Sequence, residues 1–229
     1  MWHKLIRNSR RVFSGFLNLI FPPVCILCEQ KYIAEEISVC KNCLNELSYL
    51  PEEVFKKKEI ATNLNNFHIT FLFDRQYQKM IHFLKYKGYK SLGLEIGKMM
   101  AENINTKKYT FTDSSVIPIP LHPVKYRERG YNQAELIAQG FAKVMGLNVN
   151  TKVLQRIKNT RSQTKLTKEE RIKNMTGAFK LSKNNFSKNN IILIDDVYTT
   201  GTTMNSAAET LKSAGVENII GIASAAPAS

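Results

Sequence analysis

No apolar run in the chain reaches the ~20 residues that a helix needs to cross a bilayer, so no membrane span is expected. The arrangement Gly-x4-Gly-Lys-Ser/Thr is missing, which excludes a P-loop. No internal repeat is found. Acidic residues are few: 19 Asp and Glu stand against 33 Lys and Arg, a formal charge of +14 at pH 7. That imbalance points to phosphates, nucleic acid or an anionic membrane surface as partners and says nothing about fold. Cysteine is confined to one short window, at Cys25, Cys28, Cys40 and Cys43. With 229 residues the chain can hold one full α/β domain and a small appendage.

Lys4, Arg7, Arg10 and Arg11 precede an apolar stretch at 12–21. This start superficially resembles an export signal, but no small-x-small cleavage site follows and Asn18 interrupts the run. The segment reads as an amphipathic helix ending at Pro22 and Pro23, packed on the domain; contact with a membrane surface through residues 1–21 is the second reading. Cys25-x2-Cys28 and Cys40-x2-Cys43 can supply four thiolates to one tetrahedral zinc. The window has few large apolar residues and needs such a staple. Two disulfides are the alternative and would require an oxidising compartment. Nothing else points to export, so zinc and a cytoplasmic location are expected. Four protein ligands leave no open position, which makes this zinc structural.

Residues 51–66 read as a linker between an N-terminal module at 1–50 and a main domain at 67–229. Within the main domain, patterns predict a strand at 68–73, a helix at 77–86 and a helix at 92–103. A buried strand at 114–121 exits through Pro118 and Pro120, with Pro118 at its end because proline breaks pairing. A polar, basic loop at 122–133 leads to a helix at 133–145. Strands are expected at 153–156, 177–181 and 217–225. Residues 158–173 are long, basic and aperiodic, as lids are.

The chain is organised around residues 191–203. Ile191, Ile192, Leu193 and Ile194 read as a strand buried on both faces, as in a parallel sheet. Asp195 and Asp196 stand at its carboxyl end, Thr199, Thr200, Gly201, Thr202 and Thr203 follow, and a helix is expected at 203–214. Ligands of open α/β sheets bind at that edge, and a helix N-terminus receives phosphate. Carboxylates suit neutral vicinal hydroxyls, because they accept hydrogen bonds and repel phosphate. A site that reads a sugar diol and a phosphate together is a phosphoribosyl site. A polar N-cap after a buried strand needs only one such residue, so two acids and four threonines exceed that bland reading.

This stretch resembles the diphosphoribose-binding signature of type I phosphoribosyltransferases. Beyond it, Lys85-Tyr86-Lys87-Gly88, Pro118-Ile119-Pro120-Leu121-His122-Pro123, Arg129-Gly130-Tyr131-Asn132-Gln133, Thr160-x2-Gln163 and Arg171-x2-Asn174-x3-Ala178-Phe179 resemble, in order, the motifs of the ComF family. That family comprises phosphoribosyltransferase-like proteins associated with natural competence. Tyr89 and Thr202 depart from its usual pattern. The resemblance implies an α/β, type I phosphoribosyltransferase fold: a mostly parallel sheet flanked by helices, a flexible hood, and a small N-terminal zinc ribbon with four cysteine ligands.

It also implies that Asp195 and Asp196 hold ribose hydroxyls and that residues Thr199 to Thr203 hold the 5′-phosphate. Pro120 and Leu121, with Lys125 and Arg129 close by, would receive the departing pyrophosphate. The hood falls at 156–174 and offers Arg161, Gln163 and Arg171, with Arg161 counted beside the two aspartates as catalytic. The implied chemistry is pentosyl transfer from phosphoribosyl pyrophosphate with Mg2+, to an acceptor that the residues do not identify. No N-terminal cysteine nucleophile is present, which argues against glutamine-dependent amidophosphoribosyl transfer. The competing reading is a binding protein for single-stranded DNA, acting with DNA-uptake proteins, whose phosphoribosyl pocket is sensory or vestigial.

Overall fold

Parallel strands buried on both faces need a helix layer on each side, and the chain supplies both. The computed structural model describes residues 24–30, 38–56, 58, 62–104, 111–159, 177–182, 186 and 190–228. The basic N-terminal segment, Lys4 to Phe21, and the hood residues Arg161, Gln163 and Arg171 lie outside them. The chain divides into two compact units between Glu46 and Leu47.

In the first unit, Ile26 N–H bonds the Ser38 carbonyl at 3.1 Å and Glu29 N–H bonds the Cys25 carbonyl at 2.8 Å. A short helix, α1 (Lys41–Asn45), starts directly after Cys40.

The second unit begins with α2 (Glu52–Lys56), β1 (Asn66–Leu72), α3 (Arg75–Tyr86) and α4 (Lys90–Asn103). Next come β2 (Ser114–Pro118), α5 (Pro123–Arg129), α6 (Gln133–Met145) and β3 (Asn148–Val149). It closes with β4 (Leu154–Arg156), β5 (Phe179–Leu181), β6 (Asn190–Val197), α7 (Thr202–Lys212) and β7 (Asn218–Ala226). One sheet has the order β1-β7-β6-β2-β3, every pair parallel.

Side chains alternate across a strand, which sorts the core into two layers. Odd-numbered Phe67, Ile69, Ile117, Ile191, Leu193, Ile219 and Ala223 pack with Met204, Ala207, Ala208 and Leu211 of α7. Even-numbered Val116, Ile192, Ile194, Ile220 and Ile222 are buried too, on the other face. There α4 and α6 meet through Gly97 and Gly140: a Cβ on Gly97 would lie 1.9 Å from the Ile137 carbonyl oxygen.

The strands expected at 153–156 and 177–181 form, as β4 and β5, and pair antiparallel in a separate ribbon. Two features differ from the sequence pattern. The expected basic loop at 122–133 contains α5, with His122 as N-cap, Pro123 in its first turn and Gly130 closing it at φ +79°. Those are ordinary helix start and stop signals, obscured because no side chain of this short helix is fully buried and it shows no apolar stripe. The expected linker contains α2, whose Phe55 stacks on Phe67 with ring centroids 4.7 Å apart. No helix among the described residues is long and apolar enough to cross a membrane.

Candidate functional site

β6 carries its acids inside the strand rather than after it: the ladder runs on through Asp195 and Val197 to pair with Ala223 and Ala225 of β7. Asp195 therefore follows the odd face towards α7, and Asp196 the even face. The Asp195 carboxyl accepts the Asp196 backbone N–H at 2.8 Å. Burial, then the adjacent Asp196 charge, push the Asp195 carboxyl well above the usual carboxylate range. Burial pushes Asp196 up as well, but the Lys85 ammonium outweighs it and holds Asp196 below that range. Lys85, in the last turn of α3, is ion-paired with Asp196 Oδ2. Two buried carboxyls side by side cannot both ionise cheaply, and the Lys85 ammonium favours the charged form of Asp196 over that of Asp195.

Beyond Val197 the chain turns through Gly201 at φ +70° into α7. Asp195, Tyr198, Thr199, Gly201, Thr202 and Thr203 line one concavity. Thr200 and Thr202 share a hydroxyl–hydroxyl bond of 2.6 Å. The N-terminal N–H groups of an eleven-residue helix open onto it. This cradle suits an anion.

On the other side of the strand end, Lys85, Tyr86, Gly88, Lys125, Glu128, Arg129 and Tyr131 line a cleft. Its walls are cross-linked. Tyr131 donates its hydroxyl to the Leu84 carbonyl. Arg129 bonds Gln133 and lies 5.5 Å over the Tyr86 ring. Burial, then the charges of Arg156, Arg129 and Lys85, push the Lys125 ammonium down, with Glu128 opposing. Three cations thus stand within electrostatic reach of Lys125. Asn132 caps α6 and donates to the Ile119 carbonyl at 2.9 Å, tying that helix to the exit of β2, where Pro120 and Leu121 lie. His122 is used as a cap: its Nδ1 accepts Val124 N–H at 3.3 Å.

The expected residues Asp195, Asp196 and Thr199 to Thr203 fall at one edge of the sheet. Lys125 and Arg129 fall in the adjoining cleft. Lys85 stands in a quoted motif and Arg156 at the start of the hood, neither with a site role expected from sequence. Arg156 sits beside Asp195 electrostatically and lies 5.6 Å over Phe179. Lys85 was detectable: it continues the Tyr77, Ile81 stripe at four-residue spacing, and a lysine on a buried stripe needs an anionic partner.

In the first unit, the ligand atoms of Cys25, Cys28, Cys40 and Cys43 all lie within 4.8 Å of one another. Cys28 and Cys40 sulfurs are 4.0 Å apart, too far for a disulfide. Tetrahedral zinc with bonds of about 2.3 Å separates sulfurs by roughly 3.8 Å, so the set fits. Cys40 N–H donates to Cys25 Sγ at 3.3 Å. That bond, with those from Cys28 and Leu27, overcomes burial and lowers the Cys25 thiol. Burial and the neighbouring thiols push Cys43 up instead. Four thiolates here require a cation.

Residues 127–229 match the phosphoribosyl transferase domain family, and residues 16–55 the double zinc ribbon domain family. The chain is similar to Competence protein F of Haemophilus influenzae, 26% identical over 210 residues, covering 90% of this chain and 91% of that protein. It is 37% identical over 111 residues to Competence protein ComFC of Bacillus subtilis, covering 48% of this chain and 43% of that one. It is 22% identical over 143 residues to the DNA utilization protein YhgH of Salmonella typhi, covering 61% and 63%.

Proposed function

Because the chain belongs to the ComF family, with a phosphoribosyl transferase domain and a zinc ribbon, we propose that it binds phosphoribosyl pyrophosphate with Mg2+ and works in DNA uptake. The observation that carries this reading is the end of β6. Two carboxyls, an anion cradle and a cationic cleft contributed by α3, α5 and the turns beside them converge there.

In this reading Asp195 and Asp196 hold the vicinal diol. Thr199, Thr200, Gly201, Thr202 and Thr203 take the 5′-phosphate. Pro120, Leu121, Lys125 and Arg129 border the diphosphate, and Arg161, Gln163 and Arg171 come from the hood. As pyrophosphate departs, positive charge grows on the sugar ring, and the Asp196 carboxylate favours it. Mg2+, when bound with the diphosphate, would supply counter-charge to the leaving oxygens. The acceptor is a separate question.

Calorimetric titration of phosphoribosyl pyrophosphate with Mg2+ into the zinc-loaded protein tests this. The expected result is saturable binding that the Asp195→Asn/Asp196→Asn variant loses. A folded wild type that does not bind, or a variant that binds equally well, would overturn it.

A second reading, single-stranded DNA binding beside a sensory or vestigial pocket, draws support from the cleft rim. Tyr86, Tyr89 and Tyr126 are 68%, 39% and 47% exposed there. Exposed Lys87, Lys90 and Arg127 are interleaved with them. Aromatic rings among cations suit stacked bases. Fluorescence anisotropy of a labelled oligonucleotide across a salt series tests it, and binding that survives in the aspartate variant would favour it.

A further inference from the structure

The Lys85 side chain has two neighbours of opposite kind. It is ion-paired with Asp196, and it also lines the cleft with Lys125 and Arg129. An ammonium carries three N–H donors; one serves Asp196, and the others remain for what enters the cleft. The pair is well shielded, with side-chain exposures of 22% for Lys85 and 8% for Asp196. Its position is fixed before any ligand arrives, because Tyr131 anchors the carbonyl of Leu84 immediately before it. A group held in place in advance binds without the ordering penalty that a free surface lysine suffers.

Glu128 is the one carboxylate among the cleft-lining residues, against three cations. The cleft is therefore built for a multiply charged anion. The cradle around Gly201, which Asp195 also lines, is the single-phosphate end in the proposed reading. A ligand with a phosphate at one end, a diol in the middle and a diphosphate at the other end matches this order of parts.

We propose that Lys85 is the specificity residue for the 1-diphosphate. Its ammonium, anchored by Asp196 and facing the cleft, joins the sugar end of the pocket to the diphosphate end and separates phosphoribosyl pyrophosphate from ribose 5-phosphate. This inference rests on the phosphoribosyl reading of the site and adds to it a residue from outside the signature.

Three probes test it by calorimetry on the full, zinc-loaded chain: phosphoribosyl pyrophosphate, inorganic pyrophosphate and ribose 5-phosphate. Losing one charge-assisted donor corresponds to about a tenfold change. Lys85→Gln is expected to weaken both diphosphate ligands by about that factor or more and to leave ribose 5-phosphate within about threefold. Lys85→Arg is expected to restore most of the loss, since it keeps the charge.

Equal loss for all three probes would overturn the proposal, because Lys85 would then serve only to hold Asp196 in place. Unchanged diphosphate affinity would overturn it as well. Where Lys85→Gln fails to fold, Lys85→Met with Asp196→Asn removes both charges together, and pyrophosphate, which has no diol, remains a valid probe. Retained pyrophosphate affinity in that variant would also overturn the proposal. A wild type that binds ribose 5-phosphate but neither diphosphate refutes the role of Lys85 and leaves the cradle standing. A wild type that binds none refutes the phosphoribosyl reading itself.

Discussion

The Tyr198 hydroxyl occupies the space that a side chain on Gly201 would need: a Cβ there would stand 2.2 Å from that oxygen. Tyr198 is 3% exposed and its ring lies 5.1 Å from Phe67, so it has little room to yield. Gly201 also has φ +70°, a conformation that costs other residues about 1–2 kcal/mol. Gly201→Ala is expected to weaken ribose 5-phosphate binding about tenfold and to lower Tm by a few degrees. Calorimetry and a thermal melt on one sample measure both. Undiminished affinity would separate this loop from phosphate binding.

Asp195→Asn and Asp196→Asn are expected to move stability in opposite directions. The Asp195 carboxyl is raised, so the folded state binds the extra proton, and stability is lost as pH rises from about 4 towards the folded value. Asparagine imitates the protonated acid and removes that loss, so Asp195→Asn should raise Tm at pH 7 by about 2–4 °C. The Asp196 carboxyl is lowered, so its stabilising pairing is present above about pH 4 and lost as pH falls through the lower folded value. Removing it strands Lys85 and should cost about 2–3 kcal/mol at pH 7. Melts between pH 3 and 8 read both signs, and equal shifts would contradict the split of charge across the pair.

Metal analysis is expected to find about one zinc per chain in the four-cysteine unit. Cys28→Ser should lose it, and chelation should unfold that unit, since binding and folding are one event in such modules. Thiol titration of the denatured, metal-stripped chain should count four free cysteines. Two disulfides and no metal would contradict the site.

Gly97→Ala and Gly140→Ala should each be severe. A Cβ on Gly140 would lie 2.1 Å from the Leu94 carbonyl oxygen, and a Cβ on Gly97 1.9 Å from that of Ile137. Both obstacles are backbone, so relief means separating α4 from α6. The expected loss is about 3 kcal/mol or more, measured by urea unfolding. A loss below about 1 kcal/mol would mean that the two helices can slide.

What was legible in the sequence depended on how much of each element's identity is local. Ile191 to Ile194 form an unbroken β-branched and leucine run; its acids follow directly, and the threonines after Val197 and Tyr198. That stretch alone placed the sheet, its ligand edge and the cradle. The pairing of β4 with β5 could not be read that way, since each is three residues long and the partner comes more than twenty residues later. In α5, every side chain is exposed or half-buried, so periodicity gave nothing, and only Pro123 and Gly130 marked its ends. The Lys85–Asp196 pair joins residues on different elements. Sequence flags that Lys85 needs an anion, but only the fold says which one.

The sheet order has a consequence for synthesis. β1 touches the sheet only through β7: Asn66 pairs with Ile220, and Leu72 with Ala226. At ribosomal rates of about 5–20 residues per second, the strand bearing Phe67, Ile69 and Phe71 waits roughly 10–30 s for its neighbour to be made. During that interval the edge of β1 that faces β7 has no native partner, while its other edge pairs with residues 48–50. The main domain is thus completed only after β7 has left the ribosome. Chains stalled before that point are natural clients for holding chaperones, and the yield of folded protein should depend on growth temperature and translation speed more steeply than its final stability suggests.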